Sequence, residues 1–177
     1  GDAITTGSDN VALGYNSLTS NTIGNSNVAI GKDSMIANVA ADRNVAVGLG
    51  TLQNMTSATT TDTYNTAVGY AAGTAVTTGV QNVLLGGSAG DSLTSANNNV
   101  AIGYNAMGSE DTGDGSTAVG HSALAAMNYD GYAHNTAIGY HAGKEITSGI
   151  KNTITGGLAG DAITDGTENT VYGYFAL

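Results

Sequence analysis

Apolar and polar residues follow one short pattern along this chain: a polar residue, an apolar residue or threonine, a second apolar residue, a third, and then glycine. The pattern is NVALG at Asn10, NVAIG at Asn27 and NVAVG at Asn44. Alternation with a period of two is typical of a β-strand, and the glycine that follows fits a sharp bend. Each copy therefore predicts a short strand that ends at a turn.

The pattern occurs ten times, and most copies are 17 residues apart. The copies begin at Asn10, Asn27, Asn44, Asn65, Asn82, Asn99, Ser116, Asn135, Asn152 and Asn169. Two spacings are longer, because residues 56–64 and 127–134 contain insertions. A period of 17 is too short for a helical hairpin and suits one coil of a β-solenoid. We predict a single all-β repeat array over residues 1–177, a parallel β-roll or β-solenoid of ten coils with two inserted loops.

The second half of each coil has one of two sequence types. In the first type a large apolar residue lies eight residues after the first one, as Leu18 does after Asn10. In the second type the sequence is Ala-Gly-x-x-aliphatic-Thr, as in AGDSLT at 89–94. Stacked strands lie about 4.8 Å apart, so ten coils predict a rod roughly 50 Å long.

Alternation along each strand predicts which side chains face the interior of the coil. We assign Val11 and Leu13 to the interior and Ala12 to the outside. The outside position then carries an apolar stripe over all ten coils: Ala12, Ala29, Ala46, Ala67, Leu84, Ala101, Ala118, Ala137, Ile154 and Val171. A monomer should not expose such a stripe. It therefore predicts that identical chains pack side by side around an axis.

These repeats resemble two groups of fibrous proteins. NVAIGKDS and NTAVGYAAG are similar to the head repeats of trimeric autotransporter adhesins, and closer still to the NTAIGY-type repeats of bacteriophage tail fibres and related surface proteins. The resemblance covers essentially all of residues 1–177. It implies a left-handed parallel β-roll, a homotrimer of chains lying side by side, and a stalk or receptor-binding role outside the cell.

Composition and charge exclude several other classes of function. The 177 residues include 27 Gly and no Pro, Cys or Trp, and the formal net charge is −10. Nucleic acids and anionic membranes bind through Lys and Arg, of which the chain has only four. Without Cys there is no disulfide, zinc-thiolate site or thiol nucleophile. Apolar runs are too short to insert into a membrane.

Two sets of repeated residues have predicted structural roles. The asparagines that begin nine coils should stack their side-chain amides in a ladder along the axis: Asn10, Asn27, Asn44, Asn65, Asn82, Asn99, Asn135, Asn152 and Asn169. The turn glycines occur in all ten coils: Gly14, Gly31, Gly48, Gly69, Gly86, Gly103, Gly120, Gly139, Gly156 and Gly173. Tyrosine follows the turn glycine in five coils, where it covers the turn or contacts a ligand.

The inserted loops contain the predicted contacts to a glycan or protein receptor, Tyr64, Tyr129, Tyr132 and His134. Glu110, Asp111 and Asp114 are candidate calcium ligands, because carboxylates near glycines supply oxygen ligands. The EF-hand spacing is absent there, so a solvated turn is favoured and no cofactor is predicted. No catalytic set recurs on one face of the coils, and we predict that the protein is not an enzyme.

Two alternative functions remain open. Residues 1–9 and 169–177 each resemble half a coil, so chains could join end to end as subunits of an extracellular filament; a segment of a longer array explains the same pattern. A monomeric solenoid that binds ice or glycans is the third possibility. Ice binding needs threonine at a fixed outward position, and it is disfavoured because the assignment above places these threonines inward: Thr66, Thr117, Thr136, Thr153 and Thr170.

Overall fold

Ten short strands, one from each copy of the repeat, form one parallel sheet in the computed structural model, which describes residues 3–177. The strands are β1 (Val11–Leu13), β2 (Val28–Ile30), β3 (Ala41–Asp42), β4 (Val45–Val47), β5 (Thr61–Asp62), β6 (Thr66–Val68), β7 (Val83–Leu85), β8 (Val100–Ile102), β9 (Thr117–Val119), β10 (Thr136–Ile138), β11 (Thr153–Thr155) and β12 (Thr170–Tyr172). The sheet omits only β3 and β5, which pair with each other. The predicted parallel β-solenoid of ten coils is confirmed.

Neighbouring coils align residue for residue. Val83 pairs with Val100, Leu84 with Ala101 and Leu85 with Ile102, and every other pair of adjacent coils keeps the equivalent register. Backbone hydrogen bonds therefore join each coil to the next along the axis of the rod. The described residues contain no helix that could cross a membrane.

Positions within a coil are numbered below from the residue that begins it, so that Asn10 is position 1 and Gly14 is position 5. The strand occupies positions 2–4, the turn glycine position 5, and the large apolar residue of the first coil type position 9. Position 9 has a left-handed backbone in every coil, whether the residue is Leu18 at φ 49° or Gly73 at φ 60°.

The prediction of which strand residues face the interior is wrong. From β2 onward the middle residue of the strand, at position 3, is buried, and Ala29, Ala46 and Ala101 have no exposed surface. The flanking residues Val28 and Ile30 remain half-exposed. The alanine stripe is therefore inside the coil, and the larger aliphatic residues of the strand point outward.

The interior has room for only one large side chain from these two facing positions. Where position 3 is alanine in a first-type coil, position 9 supplies a buried leucine or methionine such as Leu52. Where position 3 is Leu84 or Ile154, position 9 is glycine. A Cβ added at Gly90 would lie 2.8 Å from Cδ2 of Leu84, and one at Gly160 would lie 3.2 Å from Cδ1 of Ile154. The preceding coils have alanine at position 3 and glycine at position 9, and there a Cβ added at Gly73 or Gly143 would lie 2.7 Å from Cδ1 of Leu84 or 3.0 Å from Cδ1 of Ile154. Each large residue at position 3 therefore fills the space beside two glycines, one in its own coil and one in the coil before it.

Both insertions partly rejoin the solenoid. In the first, β5 pairs with β3 in parallel, with Asp62 opposite Asp42. In the second, Tyr132 forms a parallel bridge with Asp114 of the preceding coil. The residues between these contacts are mostly exposed, so the insertions are surface loops that are anchored at one end.

Candidate interaction surfaces

The outward residues of the ten-stranded sheet form one continuous surface, which we call the strand face. It consists of positions 2 and 4 of every coil: Val11, Leu13, Val28, Ile30, Val45, Val47, Thr66, Val68, Val83, Leu85, Val100, Ile102, Thr117, Val119, Thr136, Ile138, Thr153, Thr155, Thr170 and Tyr172. None of these residues is charged, and Val68 and Ile138 keep 39% and 43% of their surface exposed. With strands about 4.8 Å apart, the strand face is roughly 45 Å long.

The strand face changes composition along the rod. Position 2 is valine in five of the first six coils and threonine in the last four. The threonines at position 2 are outward-facing, like Thr117 and Thr136, which are half-exposed. The sequence argument against ice binding placed these threonines inside, and the burial of their neighbours Ala118 and Ala137 overturns that placement.

The asparagines of position 1 form a ladder that ties each coil to the next, buried along its length and half-exposed at its two ends, Asn10 and Asn169. Asn82 Oδ1 accepts a hydrogen bond from the backbone N–H of Asn99 at 3.0 Å, while its Nδ2 donates to the Ala96 carbonyl oxygen at 2.8 Å and to Asn65 Oδ1 at 3.1 Å. The side-chain oxygen of position 1 accepts an equivalent backbone bond at Asn10, Asn27, Asn44, Asn65, Asn99, Asn135 and Asn152, and Asn169 donates to Asn152. These asparagines bond within the protein rather than facing solvent.

An exposed row of aromatic side chains runs along the edge beyond the turn glycines. Tyr104, His121 and Tyr140 occupy position 6 of three successive coils, and their ring centroids are 5.3 Å apart with tilts of 32° and 33°. His141 stacks on Tyr140 at 3.9 Å and lies 5.3 Å from His121. We call these four residues the aromatic ridge. Tyr104 and Tyr140 are 60% and 53% exposed.

The first insertion carries a small polar cluster at its exposed end. Arg43 Nε donates to Asp62 Oδ1 at 2.7 Å, and the Tyr64 hydroxyl donates to Asp62 Oδ2 at 3.0 Å. The hydrogen bond from Arg43 lowers the pKa of the Asp62 carboxyl. Tyr64, a predicted receptor contact, is therefore held in place by a charged partner, while the residue as a whole remains 47% exposed.

The second insertion separates the other predicted receptor contacts. Tyr132 and His134 stack at 5.6 Å, and both are exposed. Tyr129 is instead half-buried against the hydrophobic core. The loop therefore presents two of its three predicted contact residues, Tyr132 and His134, to solvent.

Two of the three carboxylates of the calcium hypothesis accept hydrogen bonds from backbone N–H groups, and the third, Asp111, accepts one from the Thr112 hydroxyl at 3.3 Å. Glu110 is fully buried, and its Oε1 accepts a hydrogen bond from Gly113 N at 2.7 Å. Asp114 Oδ1 accepts one from Asn97 N at 2.6 Å. Within residues 3–177, no three His, Asp or Glu side chains come together in a group that could hold a metal ion. Calcium binding at Asp111 and its neighbours gains no support from this arrangement.

The buried Glu110 gives an expected pH dependence of stability. Burial raises the pKa of its carboxyl above the usual 4.5, while hydrogen bonds from Gly113, Tyr129 and Asp111 partly oppose the rise. The folded protein therefore retains this proton to higher pH than the unfolded chain does. Its unfolding free energy should fall as pH rises through the interval between those two pKa values.

Glu110→Gln should remove the fall of the unfolding free energy with rising pH, because glutamine still offers an oxygen to Gly113 N and carries no charge. The stability of Glu110→Gln relative to the unmodified protein should therefore increase from pH 4 to neutral pH and then level off. Urea unfolding at several pH values measures this difference. A difference that stays constant with pH would show that Glu110 does not titrate differently in the folded and unfolded states.

No enclosed pocket is found within residues 3–177, so the candidate surfaces are open ones. No protein-family model, curated protein or solved structure matches the chain. The strand face and the aromatic ridge are the extended exposed surfaces available for contact with a partner, and the ladder holds the coils together beneath them.

Proposed function

We propose that this chain is a structural segment of an extracellular fibre or adhesin, in which identical chains assemble side by side through the strand face. The observation that carries the proposal is the strand face itself: twenty uncharged residues on ten strands, with valine, leucine and isoleucine predominating in the first six coils. Soluble monomers rarely expose a continuous apolar surface of this kind. Sister chains would cover it.

The geometry favours identical chains as partners. The coils repeat at one spacing, so parallel copies in register would bring each outward residue against its equivalent residue over the whole rod. The outward orientation of valine, leucine and isoleucine favours such an interface, since these residues bury more apolar surface than alanines at the same positions would. The number three and the extracellular location come from the resemblance to trimeric adhesins and tail fibres.

The first test is the mass of the protein in solution by light scattering. A species of about three times 17.5 kDa supports the proposal. A monomer would contradict it. A very large and polydisperse mass would instead favour the end-to-end filament. That alternative uses residues 1–9, of which Gly1 and Asp2 lie outside the described residues, and it stays a prediction.

Ile102→Glu tests the interface directly. Ile102 lies on the strand face near the middle of the rod, where a trimer would bury three carboxylates close together. We expect the variant to fold as a monomer, because the side chain is half-exposed in the single chain. Thr78→Glu adds the same charge at an exposed position off the strand face and should keep the mass of the unmodified protein. An Ile102→Glu protein of unchanged mass would exclude the strand face as the interface.

Ice binding by a monomer is the second candidate, and the outward threonines favour it. Thr117, Thr136, Thr153 and Thr170 form a regular column of hydroxyl and methyl groups on the strand face. This candidate requires the strand face to be free. A monomeric mass together with thermal hysteresis in freezing solutions would replace the fibre proposal, and a trimer without hysteresis would eliminate ice binding.

A further inference from the structure

We propose that the aromatic ridge is a binding site for neutral β-linked oligosaccharides. This inference goes beyond the fibre proposal and does not depend on the number of chains. The turn glycines bend the backbone between the strand face and position 6, so the ridge lies beyond the edge of the proposed interface. The ridge is also separate from the inserted loops, which contain the residues that the sequence analysis predicted as receptor contacts.

The ridge offers several partly exposed rings in a row. Tyr104 and Tyr140 are more than half exposed, and His121 between them is also exposed. At 5.3 Å between centroids and tilts of 32° and 33°, neighbouring rings turn their faces largely toward one another, and His141 stacks on Tyr140, so the ridge presents mainly ring edges and polar atoms to solvent. The tyrosine hydroxyls and imidazole nitrogens can hydrogen-bond to sugar hydroxyls, and the exposed ring edges offer apolar contact to the C–H groups of a pyranose.

The spacing of the ridge indicates a chain-like ligand. One ring follows the next at 5.3 Å along the rod, which is close to the length that one hexose occupies in an extended β-linked glycan. The ridge is only about one side chain wide, apart from His141 beside Tyr140. A narrow and straight row suits an extended oligosaccharide better than the broad surface of a protein partner.

Charge favours a neutral glycan over an acidic one. The formal net charge is −10, and Glu145 and Asp161 lie within electrostatic range of His141. Lys144 is also near, but it forms a 3.0 Å ion pair with Glu145. Sialylated or sulfated sugars would be repelled by this surface, whereas uncharged hydroxyl groups would not.

Tyr70 provides a matched control within the same protein. It occupies position 6 of its coil and is 64% exposed, so it has the same position and similar exposure as the ridge tyrosines. The neighbouring position-6 residues are Leu49 and Gly87. Within residues 3–177, no aromatic ring contact joins Tyr70 to another ring. Substitution of Tyr70 therefore tests the loss of an isolated ring, whereas substitution of Tyr104 and Tyr140 tests the loss of rings that belong to a row.

The experiment titrates the full chain with cellopentaose and with chitopentaose by isothermal titration calorimetry. Maltopentaose, which curls, and a chondroitin sulfate hexasaccharide, which is acidic, serve as comparison ligands. We expect saturable binding of at least one of the two β-linked probes and much weaker binding of the comparison ligands. Tyr104→Ala combined with Tyr140→Ala should weaken binding by roughly tenfold or more, and Tyr70→Ala should leave it unchanged.

Three results would overturn the proposal: no binding of either β-linked probe, equal binding by the double variant, or an equal loss in Tyr70→Ala. Binding of maltopentaose or of the sulfated probe as tight as that of the β-linked probes would overturn the assigned ligand class. Unchanged thermal unfolding of the variants checks that the exposed substitutions leave the fold intact. Light scattering on the same samples reports the association state separately, so failure of the ridge proposal and failure of the fibre proposal are distinguishable.

Discussion

Replacing Gly120 by alanine is expected to prevent the chain from folding stably. Gly120 has φ +139°, a backbone conformation that residues with a Cβ rarely adopt. The added Cβ would lie 2.6 Å from the carbonyl carbon of Gly139 and closer still to its oxygen. Both are backbone atoms of the next coil, so no side chain can move aside. We expect a loss above about 4 kcal/mol, measured by urea unfolding followed by circular dichroism.

Gly131→Ala separates the two causes of this loss of stability, which are the strain of a positive φ and the steric clash with the backbone of the next coil. Gly131 also has a positive φ, +116°, but an added Cβ would meet only Tyr129 Cε1, at 3.8 Å. Its cost should be the backbone strain alone, about 1–3 kcal/mol. If Gly120→Ala destabilises the protein no more than Gly131→Ala does, the close stacking of the turn glycines is not what requires glycine.

Replacing Asn82 by alanine should cause the second largest loss. The side chain is fully buried, and its removal leaves the Asn99 N–H and the Ala96 carbonyl without their partners. Each unsatisfied buried group costs about 1–3 kcal/mol, and the cavity adds to this. We expect a total of roughly 3–5 kcal/mol, measured as the change in unfolding free energy.

Asn54→Ala is the control for the ladder, because Asn54 is exposed. Its substitution should change the unfolding free energy by no more than about 0.5 kcal/mol. Asn82→Asp adds a further comparison, since it keeps an oxygen for Asn99 N and loses the donor to Ala96. A small effect of Asn82→Ala, similar to that of Asn54→Ala, would mean that the ladder contributes little to stability.

The repeat made the architecture predictable from sequence. A polar residue, a three-residue strand and a glycine recur at a spacing that fits one coil, and stacking such coils is the way to bury their apolar sides. The role of the turn glycines was also predictable. Each coil bends sharply after its strand, and at that bend the backbones of adjacent coils lie so close together that a Cβ does not fit. Gly120 and its equivalents occupy that place, with φ between 126° and 140° in all ten coils.

The predicted orientation of the strands was wrong, because the larger aliphatic residues were assigned to the interior as they would be in a wide core. This core is narrow, and position 9 fills it from the opposite wall. The sequence contains a signal of this that the alternation alone does not reveal: glycine replaces the large residue at position 9 in two pairs of adjacent coils, and Leu84 and Ile154 replace alanine at position 3 in the second coil of each pair. Paired size changes at two positions indicate that those positions face each other.

Side chains in the insertions were harder to place than those in the coils. Tyr129 and Tyr132 are three residues apart in one loop, yet one packs on the core and the other is exposed. Glu110 looked like a solvated carboxylate, but it occupies position 12, where Asn21 and Asn38 bond the backbone in other coils. Tyr129 and Tyr132 lie outside the strict period and have no repeat to indicate their environment, whereas for Glu110 the equivalent asparagines of other coils were the available signal.

The direction of the hydrogen bonds determines how a single rod would respond to mechanical tension. Backbone and ladder bonds run between coils, parallel to the rod axis. A force that pulls the two ends apart therefore loads these bonds one interface at a time, as in unzipping, rather than all together as in shear. Each coil that opens would release about 17 residues, which extend to roughly 55 Å where the closed coil occupied about 5 Å. Such a rod would lengthen in steps under load and dissipate energy as it does so.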